Sequence, residues 1–423
     1  MAGAAGPSPP ADSRPPAEGP RRPWRDRRVV LGVTGGIAAY KSVQIARDLT
    51  RLGAVVDVIL TESARDFVGA ITFEALTGRP VLAGIAEPGH ALDHIRVARD
   101  ADVVCVAPAT ADTIARAAAG RASDLLTAVL LATRAPVLIC PAMNDAMWDH
   151  AQTRANVDHL RATLGYRIVG PATGPLAWGE GSGPGRMADE REIIEYIGRA
   201  LEPDSPLTGR RILVTAGPTR ESVDPVRVIS NRSSGRMGLA VAAAAWRRGA
   251  EVTLVAGPTA VSPPPGPRTV RVETARDMAN AVGRALPDSD VLIMAAAVAD
   301  FTPAEAAGTK IKRADGARSI ALDAAPDILV ETRPLRSPSL VAVGFALETG
   351  DGLAEAKRKL ETKGLDLIVL NHADEEGAGF EVATNRVTLI GRSGEARSLP
   401  LMSKIDVAEH ILDGVVELLL ARV

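Results

Sequence analysis

The chain has 423 residues, 46% hydrophobic and 24% charged, too many for one ordinary core and apolar enough for two. A formal net charge of -2 excludes the strongly basic balance of a nucleic-acid protein, and two cysteines, Cys105 and Cys140, exclude a disulfide framework. No apolar run approaches the ~20 residues that cross a bilayer, so a cytoplasmic chain with no membrane and no nucleic-acid partner is expected.

Residues 1–27 are rich in Pro, Ala, Gly and Arg but lack the apolar centre of a secretory signal, and read as a disordered tail. An Arg-rich organellar presequence is the alternative, against which Asp12, Glu18 and Asp26 count. A strand predicted over Arg28–Thr34 breaks on Gly35 and Gly36, a helix follows from Ala38 to Leu52, and a strand from Val55 to Leu60 ends in Thr61-Glu-Ser63. That is a βαβ unit. Glycine at a strand's carboxyl end lets backbone N–H groups approach a phosphate at the next helix N-terminus. GxGxxG is absent, so a mononucleotide such as FMN is expected in place of a dinucleotide.

His94 stands at the start of a predicted helix with Asp93 as its cap, where an ordinary first-turn histidine is the plain alternative. Predicted strands Val103–Ala107 and Val137–Cys140 run into Pro108-Ala109-Thr110-Ala-Asp112 and Pro141-Ala-Met-Asn144. Both cysteines lie inside these apolar runs and read as buried thiols. No His/Cys/Asp/Glu cluster has metal-ligand spacing.

Taken in order, Gly35-Gly-Ile-Ala-Ala-Tyr-Lys41, His94-Ile95, Pro108-Ala-Thr-Ala-Asp112, Pro141-Ala-Met-Asn144 and Gly185-Arg-Met187 resemble the flavin-dependent cysteine decarboxylases, with the order of bacterial phosphopantothenoylcysteine decarboxylase. The resemblance implies a flavodoxin-like domain over residues 28–200 with FMN held by Gly35, Gly36, Thr61, Ser63, Pro108, Ala109 and Thr110. It implies that His94 is the acid/base and that Asn144 holds the substrate. An α-amide carboxylate has no sink for the electrons left by CO2; oxidising the cysteine thiol to a thioaldehyde supplies one. One position departs from the family: Trp178 stands in the glycine-rich flap where a proton-donating cysteine is common. An indole N–H is not usefully acidic, so either another group donates, or the reaction ends at the enethiol. A non-catalytic flavin module is the remaining reading.

Residues 201–208 read as a linker, and residues 209–423 as a second α/β domain. Its predicted strand, Ile212–Thr215, leads to Gly217-Pro-Thr-Arg-Glu221 and Asp224-Pro-Val-Arg227, then to Asn231-Arg-Ser-Ser-Gly235, dense in donors ahead of a helix from Met237 to Arg248. A strand over Val252–Ala256 completes the unit. Only seven of the 49 basic residues are lysines, and five of these, Lys310, Lys312, Lys357, Lys359 and Lys363, fall within one stretch of 54 residues in this domain. A compact ammonium suits phosphate charge that moves during a reaction, while a solvated helix face is the alternative for Lys357.

The string Asp224 to Gly238, with Ala295-Ala-Ala-Val-Ala-Asp300, Lys310-Ile-Lys312, Pro326-Asp-Ile-Leu329, Gly344-Phe-Ala-Leu-Glu348, Lys359 and Lys363, resembles the phosphopantothenate-cysteine ligases that are fused to the decarboxylase in bacteria. The resemblance implies CTP contacts from Ala296, Asp300, Lys310, Pro326, Asp327, Ile328, Leu329, Phe345, Lys359 and Lys363. Asn231 is implied in acyl-cytidylate chemistry, Arg227 in gripping substrate, and Lys310 in stabilising departing pyrophosphate. Asp300 reads alternatively as a helix cap. Mg2+ would accompany CTP, held by phosphates and water because no carboxylate cage is evident. 4'-Phosphopantothenate and L-cysteine are the expected partners, and a homo-oligomer joined through both domains is expected.

Overall fold

This computed structural model describes residues 22–82, 84, 92–312, 319–348, 352–372 and 382–422. Short, strongly apolar strands bury both faces, as a parallel sheet sandwiched between helices requires. In the first sheet Val29, Leu31 and Val33 enter one cluster while Val30 enters the other. Strands β1 (Arg28–Val33), β2 (Val55–Leu60), β3 (Val103–Ala109), β4 (Val137–Pro141) and β5 (Arg167–Ile168) lie in the order β2-β1-β3-β4-β5, all parallel. Among the helices, α1 (Ala39–Arg51) and α8 (Glu190–Ala200) cover one face. The other face is covered by α3 (Asp93–Asp100), α4 (Ala111–Ala118), α5 (Leu125–Ala132) and α7 (Ala151–Ala162); α2 (Ala70–Thr77) and α6 (Asp145–Asp149) complete the set. A hairpin of β6 (Ala172–Pro175) and β7 (Ser182–Arg186) projects from the domain. The order is that of doubly wound sheets with a switch point between β1 and β3.

The second sheet is built around β8 (Arg211–Ala216), with small antiparallel pairs of β9 (Arg220–Ser222) with β10 (Val228–Ser230) and of β14 (Phe301–Pro303) with β15 (Leu322–Ala324) beside it. Its other members are β11 (Glu251–Ala256), β12 (Arg268–Arg271), β13 (Val291–Met294), β16 (Val341–Glu348), β17 (Leu367–His372), β19 (Val387–Gly391) and β20 (Ala396–Ser398). The order β12-β11-β8-β13-β16-β17-β19-β20 is parallel through β17 and antiparallel beyond it. Helices α9 (Arg236–Arg247) and α13 (Lys404–Leu420) pack on one face, α10 (Ala275–Ala285) and α12 (Leu353–Thr362) on the other, with α11 (Ile328–Glu331) at the sheet's end. A two-stranded ladder of β18 (Thr384–Asn385) and β21 (Met402–Ser403) precedes α13. The chain is therefore α/β with two Rossmann-like parallel sheets.

Helices α8 and α9 bring the sheets together. The Tyr196 and Trp246 rings meet edge-on at 4.8 Å, and Arg199 lies over Trp246 while donating to the carbonyls of Trp246, Gly249 and Ala250. Beneath them Arg247 donates to Glu195 and Glu409 at 2.8 Å each, and Arg248 donates to the second Glu409 oxygen. All three of Arg247, Arg248 and Glu409 are buried. Leu201 belongs to the first core and Leu207 to the second, so the segment read as a linker is anchored at each end.

Three local details differ from sequence expectation. Residues 22–27, assigned to the tail, are folded onto the molecule: Trp24 is 5% exposed and its indole N–H donates to Ile194. Asp93 lies inside the first turn of α3, where its carboxylate accepts from Arg96; Leu92 holds the cap position. Asp300 caps no helix, because the chain after it forms β14. The remainder of the expected tail, residues 1–21, lies outside the described residues.

Candidate active sites

Beyond the carboxyl ends of β1, β3 and β4 lies a cavity of about 440 Å³ lined by Gly35, Gly36, Thr110, Met143, Asn144 and Leu176, with Lys41 also on its wall. Gly35 is required by close approach: a Cβ there would stand 2.5 Å from the Ser63 Oγ and 2.8 Å from its carbonyl oxygen. Thr34 ties the two switch-point loops together, donating to the Pro108 carbonyl at 2.8 Å and accepting from the Thr110 N–H at 3.2 Å. Thr110 caps α4 through its hydroxyl, and Asn144 caps α6, its Oδ1 accepting from Ala146 at 2.9 Å. The Met143 N–H donates to Gly185 at 3.0 Å, which fastens the β6–β7 hairpin beside Asn144.

Of the residues expected around FMN, Gly35, Gly36 and Thr110 line this cavity. Ser63 packs on Gly35, and Pro108 is held by Thr34. Ala109 is buried in β3, and Thr61 caps the short helical turn at Glu62–Asp66 and lines a separate cavity of about 200 Å³. His94 does not line the Asn144 cavity, and its buried Nδ1 has no hydrogen-bond partner among the described residues. Trp178, at the tip of the hairpin, is 101% exposed. Cys105 and Cys140 are buried with their sulfurs 3.9 Å apart, and burial pushes the Cys140 thiol well above its usual pKa.

The second cavity, about 580 Å³, opens beyond β13, β16 and β17. Asn231, Ala296, Asp300, Phe345, Lys359 and Lys363 face it together with Pro326, Asp327, Ile328 and Leu329. The backbone is braced from below: the Thr215 hydroxyl accepts from Ala296 at 3.1 Å and that of Thr219 from Ala299 at 3.0 Å. Asn231 donates to the Ala297 and Val298 carbonyls at 3.1 and 3.0 Å. Gly235 takes a left-handed φ of +76° to turn the chain into α9, leaving the first-turn N–H groups of that helix at the cavity wall. Lys363 pairs with Asp327 at 3.3 Å, and Lys359 with Glu348 at 2.6 Å.

Two expected residues are elsewhere. Arg227 donates to Asp224 at 2.9 Å and to the Ile311 carbonyl at 3.1 Å, and neither it nor exposed Lys310 lines the cavity. Burial raises the Asp224 carboxyl, but N–H groups of Val226, Ile311 and Arg227, with the Arg227 charge, bring it below its usual range. Sequence reading missed Asn371, Asn385 and Lys404 on the same wall. They fall outside the motifs, and a lone lysine opening a helix carries no local signal.

Residues 19–202 match the model of the flavoprotein family, and residues 207–419 that of the DNA/pantothenate metabolism flavoprotein C-terminal domain. The coenzyme A biosynthesis bifunctional protein CoaBC of Mycobacterium bovis is 48% identical over 408 residues, covering 93% of this chain and 97% of the relative. The chain belongs to the CoaBC family. The CoaBC of Bacillus subtilis is 42% identical over 398 residues, with 93% of this chain and 97% of the relative covered. A crystal structure of the C-terminal domain of a CoaBC protein is 40% identical, covers 51% of this chain and 98% of that one, and has a TM-score of 0.44. Both cavities thus fall within family-matched segments, one in each half of a CoaBC chain.

Proposed function

We propose that this chain carries out two consecutive steps of coenzyme A synthesis: CTP-dependent ligation of 4'-phosphopantothenate to L-cysteine in the second domain, then FMN-dependent decarboxylation of phosphopantothenoylcysteine in the first. The observation that carries the ligase reading is the convergence of Asn231, the α9 N-terminus, Phe345, Lys359 and Lys363 on one cavity. A carboxylate is a poor acyl donor until its oxygen is made a good leaving group. Attack of that oxygen on the α-phosphate of CTP forms acyl-cytidylate and releases pyrophosphate; the cysteine amine then displaces CMP and loses a proton. Phe345 offers a ring to the base, and the lysines and helix N–H groups offset triphosphate charge. Asn231 spends its amide N–H groups on two backbone carbonyls, which leaves its Oδ1 as an acceptor suited to the ammonium of the incoming cysteine.

Mg2+ enters with the nucleotide. Its coordination is assigned to the nucleotide phosphates and water. Lys310 is assigned to the departing pyrophosphate of the same reaction and Arg227 to gripping substrate.

The first cavity suits FMN: the Gly35 cradle admits nothing larger than hydrogen on its Ser63 side, and Thr110 presents a helix N-terminus. When bound, FMN supplies the two-electron acceptor for the substrate thiol. Asn144 orients the carboxylate through neutral hydrogen bonds that do not over-stabilise it before CO2 leaves. His94 moves protons; its place outside this cavity supports the reading that it serves the site of a second copy in a homo-oligomer. Trp178 and the buried, poorly acidic Cys140 favour a second reading, in which turnover ends at the enethiol. Incubation of purified protein with phosphopantothenoylcysteine separates the outcomes. Saturated thiol supports the full reaction, enethiol with reduced flavin the oxidative half, and unchanged substrate refutes both.

A further inference from the structure

We propose that Arg336 is a positioning residue for the nucleotide of the second cavity, fixing from behind the spacing of the two segments that bear Leu329 and Lys363; that the nucleotide is CTP rests on the ligase reading above. Arg336 lies between α11 and β16 and does not itself line the cavity, whereas Leu329 and Lys363 both do. Its Nη2 donates to the Leu329 carbonyl at 2.6 Å, and its Nη1 to the carbonyls of Lys363 and Gly364 at 3.0 and 3.1 Å. One guanidinium thus joins α11 to the end of α12.

The first argument is that both segments are helix ends. A helix leaves its last four carbonyls without partners of its own, and α11 is a single turn, so its place depends on what bonds to it from outside. Helix α12 ends with Lys363 at its cap, and Gly364 then takes a left-handed φ of +60° to turn the chain toward β17. The three carbonyls that Arg336 takes belong to these two ends, where the peptide dipoles favour a cation. A rigid fork with donors on separate nitrogens reaches both at once.

The second argument concerns which joint a ligand leaves intact. On the cavity side the same segments are joined by Lys363 and Asp327, 3.3 Å apart and both partly exposed. A bound triphosphate carries more negative charge than one carboxylate and competes for that ammonium. Arg336 is withdrawn from the cavity and bonded to neutral carbonyls, so a nucleotide does not compete for it. In the loaded site Arg336 therefore keeps the Leu329 and Lys363 walls at their spacing while Lys363 turns to phosphate.

The test uses the full chain with Arg336→Ala and Arg336→Gln, and with Arg333→Ala as a control for lost charge, since exposed Arg333 makes one long bond, 3.4 Å to the Thr362 carbonyl. In both Arg336 variants the KM for CTP is expected to rise about tenfold or more, with kcat and the KM values for cysteine and phosphopantothenate staying within about twofold. Arg336→Gln, which keeps part of the stem and an amide donor, carries the measurement where Arg336→Ala does not fold. Millimolar guanidinium should lower the KM for CTP of Arg336→Ala, and sodium chloride of equal ionic strength should not. Parent values in the Arg336 variants, equal rises for all three substrates, or an equal rise in Arg333→Ala overturn the assignment. Failure of the ligase reading is seen separately, as absence of CTP-dependent pyrophosphate release from the parent. Hydrogen exchange without nucleotide then still decides the joint: amides of residues 328–331 and 363–365 should exchange faster in Arg336→Gln than in the parent, and equal rates overturn it.

Discussion

Arg227 donates a hydrogen bond to the carbonyl oxygen of Ile311 at 3.1 Å, and by that bond holds the neighbour of Lys310 instead of facing the cavity. Asp224 completes the clasp, accepting from the Arg227 side chain and from the Ile311 N–H. The segment bearing Lys310 is thus fastened to the β9–β10 pair, and the proposed contact of Lys310 with CTP would depend on this clasp.

Arg227→Ala should therefore lower ligase kcat/KM by about tenfold to a hundredfold, the range for losing a charge-assisted hydrogen bond. Because both bonds leave the single nitrogen Nη1, the three-donor ammonium of Arg227→Lys should recover part of the activity. Steady-state kinetics with phosphopantothenate as the varied substrate checks both, and a parent-like Arg227→Ala refutes the coupling.

Gly35→Ala places a methyl against the Ser63 hydroxyl and backbone. We expect loss of bound flavin, read as the visible absorbance of the purified protein, while ligase activity persists because the second cavity is built from other strands.

Removing Glu409 leaves Arg247 and Arg248 buried without their shared carboxylate. Because Glu195 still pairs with Arg247 and Asp413 with Arg248, Glu409→Ala should destabilise the chain by about 1.5–3 kcal/mol, the usual cost of losing hydrogen bonds to a charged group. Denaturant unfolding followed by tryptophan fluorescence tests this through Trp24 and Trp246, which lie at the contact.

Trp178 tests the decarboxylase readings. If the exposed indole leaves the intermediate without a proton donor, Trp178→Cys should raise formation of saturated thiol by roughly a hundredfold, within the range for general acid catalysis. Chromatographic analysis of products decides it, and a variant no better than the parent shows that this position does not limit the reduction.

Much of this architecture was legible in the residues. The β1–α1–β2 unit follows from an apolar run broken by Gly35 and Gly36, and the structure departs by one residue at the strand and helix ends, where caps alone set the boundary. Ala296, Asp300, Phe345, Lys359 and Lys363 fall in ordered motifs and do converge on one cavity. Trp24 was misread because the Pro- and Arg-rich segment around it looks like a tail, and its burial comes from α8 and Arg247.

Local pattern, then, determined the two sheets, the glycine turns and the lysine-rich motif set, because strand periodicity and close backbone approach act between residues near in sequence. Tertiary structure alone decided three placements. Arg227 is turned toward Ile311, His94 lies outside the cavity lined by Asn144, and Asn385 and Lys404 reach one cavity wall from a two-stranded ladder. Each depends on long-range pairing and on the electrostatics of burial, which arise only when distant segments exclude water together.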